Sequence, residues 1–103
     1  LLIAHQGGGF AADTRACAPI IRDHENAYME ICGSLDNSLP GEAIADMVGE
    51  DKVIFGTDAI NLDPKYELGK VAFSPLPDDV KEKIFAENYL KVLQYSQMGT
   101  IKF

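Results

Sequence analysis

Basic residues are scarce in this chain. Nine Lys and Arg stand against sixteen Asp and Glu, giving a formal net charge of −7 and a pI near 4.6. A surface of that sign repels phosphate backbones, which argues against nucleic-acid binding, and its simplest reading is ordinary solubility. Long apolar runs are also missing. No stretch approaches the ~18 residues that a bilayer-spanning helix needs. The opening LLIAHQ has neither the basic flank nor the long apolar core of a signal peptide. No membrane partner and a cytoplasmic location are the expectations. Cysteine is limited to Cys17 and Cys32, fifteen positions apart, which make neither a CxxC pair nor a zinc-knuckle pattern. Two buried free thiols in a reducing compartment are expected. Histidine is limited to His5 and His24.

What is present suits one globular unit: 103 residues, 47% of them hydrophobic. Leu1 to Ala4 is a continuous apolar run, the pattern of a strand buried on both faces. HQGGGF follows as a loop, and residues 13–22 read as a weak helix interrupted at Pro19. AYMEI (27–31) reads as a second strand and LPGEAIADMV (39–48) as a helix, with Pro40 near its first turn and Gly49 at its stop. Residues 52–55 make a third strand, and residues 65–72 a short helix. The strongest helix opens on Asp78 and Asp79, which suit the positive end of its dipole. Its apolar spacing predicts that Val80, Ile84, Tyr89, Val92 and Leu93 face a core. The alternation predicts an α/β fold in which three parallel strands alternate with helices, in a single domain over residues 1–103. Unpaired edges on so small a sheet invite association.

Two strand ends carry chemistry. LLIA runs into His5 and three glycines, and KVIFGTD runs into Asp58. In parallel α/β proteins, ligands bind beyond the carboxyl ends of the strands. An imidazole and a carboxylate meeting there suit a divalent metal, or a proton taken from an attacking water. The bland alternatives are a structural hydrogen-bond partner for His5 and a turn or helix cap for Asp58. The Gly7–Gly9 run reads either as a plain turn or as half of a phosphate loop, since GGGFAA lacks the third glycine of the dinucleotide fingerprint. His24, in RDHEN, reads as a solvated helix end. Ser34 has no GxSxG elbow around it. Glu30 points toward either face of the sheet. Asp63–Pro64 reads as a turn.

LLIAHQGGG, NAYMEICGS, DKVIFGTDA and ELGKVAFSPLPDDVKEKIFAENYLKVL, in that order, resemble the C-terminal part of the amidohydrolase-related family. The resemblance implies strands six to eight of a (β/α)8 TIM barrel, with Asn88 on the closing helix. It implies that Asp58 is the last metal-site carboxylate, binding a divalent ion or taking a proton from water. His5 would be the sixth-strand histidine that binds a second metal or polarises the substrate. The implied activity is metal-dependent hydrolysis of a small-molecule substrate such as a cyclic ester or amide. Non-oxidative decarboxylation is the alternative within the family, and a phosphate-binding module on Gly7–Gly9 the alternative outside it. The chain departs from the family in reading Asp58–Ala59 where many relatives place Pro soon after the Asp, and in lacking an HxH pair. A full barrel needs about 250 residues, and a catalytic zinc about three protein ligands. The chain is therefore expected to be part of a larger barrel, inactive and without tightly bound zinc by itself, and completed by missing barrel segments or by self-association.

Overall fold

A computed structural model describes residues 1–7, 14–33 and 39–97. The order is β1 (Leu2–Ile3), α1 (Thr14–Asp23), β2 (Tyr28–Glu30), α2 (Gly41–Val48), β3 (Val53–Ile54), α3 (Pro64–Ala72), α4 (Asp78–Glu82) and α5 (Asn88–Gln97). A π-helical turn, Lys83–Glu87, joins the last two helices. The three strands form one parallel sheet in the order β1-β2-β3. Leu2 stands opposite Tyr28, and Met29 opposite Val53. The predicted α/β alternation is what the chain adopts.

Local sequence explains the elements. Thr14, Ala18 and Ile21 recur at helical spacing and form the buried stripe of α1. The helix runs through Pro19 rather than stopping there, contrary to the sequence reading. Pro19, the sixth of the ten residues, lies on the exposed side, where it costs one backbone bond without displacing the buried stripe. Helix α2 buries Ile44, Ala45 and Val48 and ends at Gly49, whose φ of 97° suits glycine. Asp63 caps α3 by accepting the Lys65 amide at 2.9 Å, with Pro64 in the first turn. The turn expected at Asp63–Pro64 is thus a helix start.

One face of the sheet carries the core. Met29, Ile31 and Val53 meet Ile21, Ile44, Val48, Val71, Val80 and Ile84 in a single apolar cluster. The final helix departs from its predicted pattern. Val80 and Ile84 are buried, but the next buried position is Asn88, and Tyr89 is 46% exposed. The reason lies at the outer edge of β3. Asn88 Nδ2 donates to Glu50 O and to Val53 O, both at 2.8 Å, and the Phe55 amide donates to Ile84 O at 3.0 Å. The helix thus satisfies backbone groups that a fourth strand would otherwise take. The expectation of two open edges is corrected on this side. Among the described residues, β1 has no strand on its outer side.

Candidate active site

The chain turns sharply where β1 ends. His5 and Gln6 both adopt left-handed backbone, with φ of 54° and 55°. Such conformations cost non-glycine residues on the order of 1–3 kcal/mol and persist only where surrounding contacts impose them. Those contacts are present. The His5 amide donates to Glu30 Oε2 at 3.1 Å. Gln6 is buried; its Nε2 donates to Ile31 O, and its Oε1 accepts the Leu39 amide, each at 2.9 Å. The His5 side chain itself is exposed.

The end of β3 has the same character. Asp58 has a φ of 51°, and His5, Gln6 and Asp58 are the non-glycine residues with positive φ among the described residues. Asp58 Oδ1 accepts from Asn61 Nδ2 at 3.1 Å, and Asp58 O accepts the amides of Asn61 and Leu62. The turn-forming role is therefore real. It occupies one carboxylate oxygen and leaves Oδ2 without a hydrogen bond among the described residues. Asp58 is half-buried, so the carboxylate still meets solvent.

Between the two ends stands Glu30, 9% exposed. Its Oε1 accepts the Cys32 amide at 2.7 Å, and its Oε2 accepts both the His5 amide and the Cys32 thiol, the latter at 2.9 Å. It also lies flat against Gly56. A β-carbon placed on Gly56 would sit 2.6 Å from the carboxyl carbon of Glu30. Strand alternation left the direction of Glu30 open, and the fold turns it into the carboxyl end of the sheet. The Cys32 thiol is pushed up to about 12, first by burial, then by its bond to Glu30, then by the charges of Glu30, Asp58 and Glu67. Asp58 and Glu67 are thus close enough to Cys32 to act on it.

Glu67 is the residue that sequence reading missed. It is fully buried on α3, with Lys70 Nζ 2.9 Å from its Oε2. Lys70 Nζ also donates to Ile31 O at 3.0 Å, which ties α3 to the end of β2. In sequence the pair looks like an ordinary surface i,i+3 couple, and nothing in it signals burial. His24 is exposed beyond α1, as expected, with its carbonyl accepting from Lys52 Nζ. Cys32 is buried and Cys17 half-buried; both are free thiols. Gly8, Gly9 and Ser34 lie outside the described residues.

The structure thus sets His5 and Asp58 on one edge of the sheet, at the ends of its outer strands. Two strand spacings separate those strands, about 10 Å. Among the described residues, no three His, Cys, Asp or Glu side chains come together to hold a metal ion. The donor set among the described residues does not fit a complete metal centre. Nor is any helix among the described residues long and apolar enough to cross a membrane.

Three comparisons bear on this arrangement. The family model described as amidohydrolase matches residues 1–94. No curated protein matches. No solved structure matches.

Proposed function

The chain belongs to the amidohydrolase family, a hydrolase- and decarboxylase-like group, and on that premise we propose that it forms the strand-six-to-eight sector of a (β/α)8 hydrolase barrel. Family members are generally hydrolytic enzymes that typically use divalent metals. The observation that carries the reading is the coincidence of strain with chemistry. The two residues that the sequence singles out, His5 and Asp58, both hold left-handed backbone at the carboxyl edge of one parallel sheet. Strain of this kind gathers at working sites.

In this reading Asp58 is the base. Oδ1 is steadied by Asn61, and Oδ2 is the oxygen that takes a proton from a water attacking a carbonyl. His5, exposed beyond β1, polarises the substrate carbonyl. The substrate is a small cyclic ester or amide. The family's divalent ion, which we take to be zinc, would need Asp58 together with ligands beyond those among the described residues. Partner segments of the barrel supply those ligands.

The test is a substrate panel of lactones, cyclic amides and aromatic carboxylic acids, applied to the full-length polypeptide that carries this chain. Ring opening is expected. Replacing Asp58 with Asn should lower kcat by about 10²- to 10⁴-fold. Release of CO2 from an aromatic acid without ring opening would favour decarboxylation instead. A wild-type kcat in the Asp58→Asn protein would reject the assignment of the base.

A further inference from the structure

We propose that Glu30 is the positioning residue of this site, binding the His5 turn, the end of β2 and the approach to Asp58 into one rigid unit. The proposal rests on the reading of His5 and Asp58 as the working pair. It goes beyond it by naming the group that fixes their spacing.

The carboxylate faces one element from each strand. From β1 it receives the His5 amide, at the first of two consecutive left-handed residues. From its own strand it receives the Cys32 amide and thiol. Against β3 it fills the space over Gly56, two residues before Asp58. Glycine at position 56 is required by this approach, because any β-carbon there would overlap the carboxylate. An acceptor with two oxygens is required as well, because three donors converge on it. A buried carboxylate so fully engaged is costly to disturb, since each donor would lose its partner in a dry setting. The turn is also closed by the Gly7 amide, which donates to Ala4 O at 3.2 Å, and Gln6 holds the next residue rather than His5 itself. Glu30 touches no reacting atom in this scheme. It acts through the backbone of His5 and through the loop that ends in Asp58.

The experiment compares Glu30→Gln, Gly56→Ala and Asp58→Asn with the wild type in the full-length polypeptide, using p-nitrophenyl acetate as the probe ester. Glu30→Gln keeps shape but replaces one acceptor by a donor that faces the His5 or Cys32 hydrogen. Gly56→Ala keeps the carboxylate but displaces it. Both should lower kcat about 10- to 100-fold, the cost of a loosened supporting shell, while KM stays within about twofold. The thermal transition should stay cooperative, and the His5 amide proton should shift in the nitrogen-15 correlation spectrum of each variant. A kcat that falls only in proportion to the unfolded fraction would reduce Glu30 to a structural residue. So would an unmoved His5 amide. If Asp58→Asn abolishes turnover and Glu30→Gln keeps the wild-type kcat, the positioning role alone fails. If Asp58→Asn turns over normally, the working pair is wrong and the positioning role falls with it.

Discussion

Cys32 is where the residue-scale forces are easiest to weigh. A thiol at the end of a strand, in a family of generally hydrolytic enzymes, invites a nucleophilic reading, and its surroundings oppose that reading. Burial removes the solvent that a thiolate needs, the hydrogen bond to Glu30 requires the proton to stay, and three carboxylates repel the anion. All act in one direction, and the group is pushed up to about 12 from its ordinary 9.0. Below pH 9 the thiol is neutral in both folded and unfolded chains, and its contribution to stability is fully present. Above pH 9 the unfolded chain loses the proton first. Stability therefore falls as pH rises from 9 toward 12, at up to about 1.4 kcal/mol per pH unit. Denaturation midpoints at pH 8 and pH 10.5 test this against Cys32→Ser, which keeps a donor for Glu30 but does not titrate. The wild type should lose more stability across that interval than the variant. Equal losses would show that Cys32 does not govern the alkaline limb. In the native protein at pH 8, a thiol reagent should leave Cys32 unmodified until denaturant is added.

At the scale of elements, the closing helix shows how a backbone defect serves packing. A π-turn is less favourable than continued α-helix and is usually kept for a reason. Here the turn contains Ile84, whose carbonyl accepts the Phe55 amide on the edge of β3, and it leads directly into Asn88. Asn88 then acts as a short substitute strand for Glu50 O and Val53 O. Asn88→Ala would strand both carbonyls in a buried setting and should cost about 1–3 kcal/mol. Urea denaturation measures that, and a loss below about 0.5 kcal/mol would mean that water replaces the amide without penalty. Such features explain what the sequence could and could not disclose. Pro40 and Gly49 act locally, so the bounds of α2 were readable within two residues, and those of α3 within one, although its Asp63–Pro64 start reads as a turn. The parallel alternation was readable for the same reason. Tyr89 was misplaced because apolar spacing cannot register an amide recruited by a distant strand edge. Glu67 was passed over because its burial comes from the tertiary packing of α3, which its neighbours in sequence do not disclose. His5 and Asp58 were legible as strand ends, whereas their left-handed backbone and the Glu30 carboxylate that joins them depend on three strands meeting.

For the whole molecule the governing fact is that its two sheet edges differ. The β3 edge is closed by Ile84 and Asn88, while β1 has no strand beyond it among the described residues. Leu1 and Leu2 remain 76% and 43% exposed there. In a parallel ladder alternate residues bond to each side, and the pairing of Leu2 with Tyr28 points the Leu2 amide away from β2. Apolar side chains beside unsatisfied backbone groups are what an incoming strand requires. The proposed barrel should therefore grow from β1. Amide hydrogen exchange tests this in two samples, the chain alone and the longer polypeptide. In the chain alone, the Phe55 amide should be protected and the Leu2 amide should exchange freely. In the longer polypeptide, Leu2 should gain protection while Phe55 keeps its own, because Ile84 still holds it. Closure through β3 instead would require an incoming strand to displace Asn88 and Ile84. The partner of the Phe55 amide would then change, moving its resonance while Leu2 stayed exposed, and that outcome would reject growth from β1.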